Sequence, residues 1–169
     1  MRKYFMEIKS LHGKKIMVDT NAFIYYLTGQ CNKLTVEIFE AGVLKKLKLI
    51  TTTRIIDELL FKMFLIKAGE IYGFECKILE KLKKDIKKIK NLANVCRNVL
   101  KFIEILDVNI IEIKRNTIFA VPEIISEYGL IGNDAITFKI MRERNLKYIL
   151  TADEDFRNIK EIVVLNPLN

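Results

Sequence analysis

Short apolar runs alternate along the chain with longer stretches whose apolar residues recur at helical spacing. Ile16-Met17-Val18 is apolar, stops at Asp19 and predicts a buried strand. Residues 20–27 then predict a helix, with Thr20 or Asn21 available as its cap. Leu34, Ile38, Phe39, Val43, Leu44 and Leu47 mark a second helix over 34–47, and 49–53 predicts a second strand. Thr53 can cap a third helix, whose apolar face is Ile55, Ile56, Leu59, Leu60, Met63 and Phe64. Residues 75–101 predict a long lysine-rich helical stretch broken near 91–94, and 108–113 a third strand. Helices follow over 117–127 and 133–144, then strands over 148–151 and 162–165, the last stopped by Pro167. Alternating strands and helices imply a parallel sheet covered on both faces, in a single α/β domain.

In such sheets, functional groups gather beyond the carboxyl ends of the strands, where the strand order switches. Four acids fall there or one turn into the following helix. Asp19 follows the first strand, Glu58 lies one turn into the helix after the second, Asp134 opens a helix behind Gly132-Asn133, and Asp153 follows the fourth strand. Taken alone, Asp134 and Asp153 read as helix caps before they read as functional groups. Glu58 sits between Ile55 and Leu59, at the border of the apolar stripe. As a group the acids carry a further implication. Two unit charges about 4 Å apart repel by roughly 4 kcal/mol at an effective dielectric near 20. Clustered carboxylates therefore take up protons unless cations neutralise them. Hard divalent cations with oxygen ligands, Mg2+ or Mn2+, are the natural partners.

Composition narrows the chemistry. The 169 residues are 50% hydrophobic with only 7 glycines and 2 prolines, which excludes disorder and low-complexity linkers. His12 is the only histidine, so histidine-based triads and His-rich zinc sites are excluded. Cys31, Cys76 and Cys96 are scattered and odd in number, and are expected to be buried free thiols in a reducing cytoplasm. No apolar run approaches the roughly 18 residues a membrane span needs, and the start lacks the apolar core of a leader. The expectation is a cytoplasmic protein with no membrane partner.

At the four acids the sequence resembles the PIN-domain family. Val18-Asp19-Thr20-Asn21 is similar to the family's first motif, Glu58 within 53–60 to its second, Asn133-Asp134-Ala135 to its third, and Leu150 to Phe156 to its fourth, with Val163 to Pro167 also similar. The resemblance covers about residues 14–169 and leaves 1–13 as an N-terminal extension. It implies a three-layer α/β/α sandwich with a five-stranded parallel sheet. It implies a Mg2+- or Mn2+-dependent endoribonuclease like the VapC-type toxins, hence RNA as substrate, a homodimer and, for a toxin, an antitoxin protein as partner. Carried over, Asp19, Glu58, Asp134 and Asp153 match the metal-binding, catalytic acids, and Asp155 an auxiliary ligand. Asn21 and Thr151 match supporting polar positions that orient ligands or substrate, although capping and turn formation would equally place them there. Asp57 adjoins Glu58, whose neighbours favour it over Asp57. The helical region between the second and third strands is longer than in typical toxins.

Charge adds one feature. The formal net charge is +8, and residues 75–101 alone hold nine basic residues against three acidic ones, a net of +6. The stretch reads either as a solvated amphipathic face or as a phosphate-tracking surface beside the active site, with Lys83, Lys84, Lys87 and Lys88 as its candidate RNA contacts. Three other readings differ in kind: a non-catalytic PIN-like RNA-binding or interaction module, a processing nuclease that is not a toxin, and a phosphotransfer receiver. The last is disfavoured, because Lys114-Arg115-Asn116 follows the third strand where a receiver needs an acceptor aspartate.

Overall fold

The fold is given by a computed structural model, which describes residues 7–168. Residues 1–6 of the expected N-terminal extension lie outside the described residues. Five strands, β1 (Lys15–Val18), β2 (Lys48–Thr52), β3 (Asn109–Ile111), β4 (Tyr148–Leu150) and β5 (Val163–Leu165), form one sheet in the order β3-β2-β1-β4-β5. Every pairing is parallel. The sheet is the five-stranded, helix-covered one expected. β1 is central, and its Ile16, Met17 and Val18 are fully buried, as a strand covered on both faces requires. The chain builds outward from β1 to β2 and β3, then crosses to β4 and β5. The strand order therefore switches between β1 and β4, and the crevice of such a fold opens at their carboxyl ends.

The helices are α1 (Thr20–Leu27), α2 (Lys33–Val43), α3 (Thr53–Tyr72), α4 (Ile78–Lys83), α5 (Ile86–Asn91), α6 (Ala93–Ile105), α7 (Arg115–Phe119), α8 (Val121–Tyr128) and α9 (Gly132–Glu143). The main core packs Phe23 of α1, Phe39 of α2, Leu59 of α3 and Phe138 of α9 against the sheet. Leu11, within the expected extension, is itself fully buried in that core. A second, smaller cluster of Ala68, Leu82 and Leu92 fastens α4 and α5 to the far end of α3.

Several expected boundaries move, each for a local reason. Asp19 caps α1, its carboxylate accepting from the Thr20 N–H at 2.7 Å, in place of Thr20 or Asn21. Thr52 caps α3 by accepting from the Ile55 N–H at 3.1 Å, in place of Thr53. α3 runs to Tyr72, where Gly73 adopts φ 65° and turns the chain out of the helix. The basic stretch breaks at 91–94 as expected, and also at Lys84, because the Asp85 carboxylate accepts from the Lys87 N–H and starts α5. The helix expected over 117–127 is two helices, with Pro122 in the first turn of α8, where its missing N–H costs least. The cysteines also differ from expectation: Cys76 is exposed and Cys31 and Cys96 are only partly buried, all three free. Among the described residues no helix is long and apolar enough to cross a membrane.

The cap of α3 gives a direct test of this register. Thr52→Ala should lower unfolding free energy by about 1–2 kcal/mol, whereas Thr53→Ala at the exposed neighbour should stay within about 0.5 kcal/mol. Urea unfolding of both variants distinguishes them.

Candidate metal centre

Asp19 leaves the end of β1 and is 8% exposed. Three groups fix its carboxylate. One oxygen takes the Thr20 N–H, and the other takes the Asn21 amide at 2.8 Å and the Thr151 hydroxyl at 2.7 Å. The Thr151 hydroxyl also accepts from the Asn21 amide at 3.1 Å and from the Asp153 N–H at 3.0 Å, which uses its single donor and both lone pairs. The Asn21 carbonyl accepts from the Ala152 N–H at 2.9 Å. Asn21 and Thr151 thus tie the end of β1 to the loop after β4, across the switch point. The same network turns that loop so that the Asp153 carboxylate accepts from the Asp155 N–H at 2.9 Å.

Asp134 lies in the first turn of α9 and joins this group. One carboxylate oxygen from each of Asp134, Asp153 and Asp155 lies within 4.8 Å of the other two. Glu58 approaches from the second turn of α3. Its two oxygens are held separately, one by the Lys62 ammonium at 2.6 Å and the other by the Asn133 amide at 2.7 Å. Asp57, by contrast, is exposed and paired with Arg54 at 2.7 Å.

The roles of Lys62 and Asn133 are additions to the sequence reading. Lys62 carried a signal, since a Glu followed four residues later by Lys is the favourable helical pairing. Asn133 precedes Asp134 in its motif, but nothing in the sequence says that its amide reaches a different helix.

The electrostatics follow from this geometry. Burial raises Asp134, and the charges of Asp153, Asp19, Asp155 and Glu58 add to it, so its carboxyl is pushed up to about 7. Asp19 is also raised, by burial foremost, against the opposing hydrogen bonds from Thr151 and Thr20. Burial pulls Glu58 upward too, but the Lys62 hydrogen bond and charge and the Asn133 hydrogen bond outweigh it, and Glu58 is held below its ordinary value. The Asn133 carbonyl oxygen is buried with no hydrogen-bond partner among the described residues.

Surface clefts of about 340, 390 and 300 Å3 lie elsewhere, and none is lined by these acids.

The basic stretch packs against the later turns of α3. Tyr72 at the end of α3 meets α5, its hydroxyl donating to the Lys88 carbonyl at 3.4 Å. Fourteen helical residues separate Tyr72 from Glu58, about 20 Å at the helical rise. Lys88 is held over the rings of Tyr72 and Phe74 and near Asp85, while Lys83, Lys84 and Lys87 are exposed.

A parallel α/β domain with converging carboxylates at its switch point is the class that fold and site define. The PIN domain family matches residues 16–162, and the chain belongs to that family. Solved structures share the fold. VapBC from Salmonella typhimurium bound to DNA aligns with TM-score 0.57 and 15% identity, covering 90% of this chain and 98% of that one. VapC20 from Mycobacterium tuberculosis, a toxin that cleaves the sarcin-ricin loop, aligns with TM-score 0.56 and 14% identity, covering 90% and 99%. VapBC2 from Rickettsia felis, bound to a DNA fragment from its promoter, aligns with TM-score 0.54 and 16% identity, covering 90% and 98%. No curated relative matches the chain in sequence.

The pH dependence of the metal-free protein should report the crowding. With its folded value near 7 against an ordinary 3.8, Asp134 keeps its proton longer in the folded chain than in the unfolded one. Its contribution to stability is therefore lost as pH rises from about 4 to about 7. Glu58, shifted the other way, acts only below its ordinary value of 4.5. In chelator, melting temperature should fall across pH 4–7, and Asp134→Asn should flatten that fall and melt higher than wild type at pH 8. Equal slopes in both proteins would contradict the crowding.

Proposed function

We propose that this PIN-domain protein is a divalent-metal-dependent endoribonuclease of the VapC type. The observation that carries the reading is the convergence of Asp134, Asp153 and Asp155 within 4.8 Å at the switch point, where fixed Asp19 and Glu58 add further charge. A divalent cation fits these residues. The side-chain donors are all oxygen, no histidine or cysteine is among them, and the charge crowding that raises Asp134 is the kind a hard cation relieves. The orphaned Asn133 carbonyl beside Glu58 is one more oxygen without a partner among the described residues.

Asp19, Glu58, Asp134 and Asp153 would hold Mg2+ or Mn2+, with Asp155 at the exposed side. When bound, such an ion lowers the pKa of a water ligand and neutralises charge on a phosphodiester oxygen. The chain's own part is orientation. Asn21, Thr151 and the Thr20 N–H leave the Asp19 carboxylate one direction to face. Lys62 and Asn133 do the same for Glu58, and the turn at 151–155 aims Asp153 and Asp155 at Asp134. Ligands held this way bind without first being ordered, and loss of such supporting partners typically costs 10–100-fold in affinity or activity.

The toxin role belongs to the same proposal. It is supported by the fold shared with VapC20 and with structures solved as VapBC complexes, and it brings an antitoxin protein as partner and a homodimer as the working unit.

Cleavage of RNA in Mg2+ or Mn2+ tests the reading. Chelator should abolish it, Asp19→Asn should slow it by more than about 100-fold, and Thr151→Val by about 10–100-fold. Equal rates for wild type and Asp19→Asn, with both proteins folded by circular dichroism, would remove the assigned site.

A further inference from the structure

The α4–α5 segment is a charged surface built on a core of its own. Leu82 and Leu92 are buried against Ala68 of α3, with Ile78, Ile89 and Phe74 packed around them. That packing buries Leu82 and Leu92 and leaves Leu79 of α4 and Ile86 of α5 exposed. Lysine is the commonest exposed residue of the segment. Lys83, Lys84, Lys87 and Lys90 are exposed, and among the described residues none of the four enters an ion pair. Lys81 and Lys88 differ, because their ammonium groups sit about 5 Å from the ring centres of Phe74 and, for Lys88, also of Tyr72. They help hold the segment in place.

Four unpaired ammonium groups around one helix–turn–helix raise the local potential and attract a polyanion. Lysines without guanidinium forks read phosphate charge and not base identity. The segment is also fixed relative to the acids, because α3 carries Glu58 in its second turn and Tyr72 in its last. We infer that Lys83, Lys84, Lys87 and Lys90 form a second RNA-binding surface, on the α4–α5 segment, that holds the phosphate backbone of the substrate. The inference rests on the ribonuclease reading for the identity of its polyanion.

The test is binding, kept separate from cleavage. The full chain is titrated with a labelled 20-nucleotide RNA in chelator, at several salt concentrations. Changing all four lysines to Gln should reduce the slope of log affinity against log salt by about 3, since each single-strand phosphate contact contributes about 0.7. A control changes Lys14, Lys15, Lys46 and Lys48 to Gln. These exposed lysines lie at the amino ends of β1 and β2 and carry the same total charge. The control should keep the wild-type slope. In the unaltered protein, RNA should protect the four α4–α5 lysines from an amine-reactive reagent, which covers the case of a variant that fails to fold.

An unchanged slope with no protection, or an equal loss in the control, overturns the inference. The first result would assign the lysines to an acidic protein partner instead. Protein that cleaves RNA with an unchanged slope removes this inference alone, whereas protein that binds as expected but never cleaves removes the nuclease reading alone.

Discussion

Mutual repulsion among carboxylates is the constraint on which the rest of this structure turns. Two charges 4.8 Å apart repel by roughly 3 kcal/mol at an effective dielectric near 20, and here three carboxylates stand at that spacing with two more close by. A fold left to relax would splay them. This one does not, because each acid is anchored by an element that the core fixes independently. Asp19 ends a strand buried on both faces, Asp134 opens a helix pinned by Phe138, and Glu58 sits on a helix pinned by Ile55 and Leu59. The hydrophobic core thus holds charges together against their own repulsion, and part of that strain is relieved when Asp134 takes up a proton.

The supporting polar groups convert crowding into geometry. The Thr151 hydroxyl uses its donor and both lone pairs in the Asp19 network, and Asn21 bonds both Asp19 and the loop, so the end of β1 is tied to the loop after β4. Lys62 and Asn133 treat Glu58 in the same manner from two different helices. Lys62 also contributes most to lowering Glu58, where Asp19 and Asp134 are raised.

Much of this was legible in the sequence, for identifiable reasons. β-Strand positions showed because Ile16 to Val18 and the 148–150 run are apolar and stop at a polar turn. The acids showed because each follows an apolar element directly or by one turn. What the sequence concealed was tertiary. Nothing local marks Thr52 over Thr53 as the cap of α3, since both are threonines and only the strand's last hydrogen bond decides between them. The Asn133–Glu58 contact joins residues 75 apart in the chain. The basic stretch was visible as charge, but its seat depends on α3 running to Tyr72, and the helical pattern past Phe64 is too weak to give that length. Asp155, read as auxiliary, falls within the same 4.8 Å grouping as Asp134 and Asp153.

The central claim is that this cluster exists to be neutralised by a divalent cation, and direct binding of Mn2+ is its most immediate test. Electron paramagnetic resonance of free Mn2+ during titration counts the ions that the protein removes from solution. The account predicts saturable uptake that Mg2+ competes away, that Asp134→Asn and Asp153→Asn abolish, and that Asp57→Asn, at the exposed pair with Arg54, leaves intact. No uptake by the wild-type chain, or uptake equal in all four proteins, would contradict it.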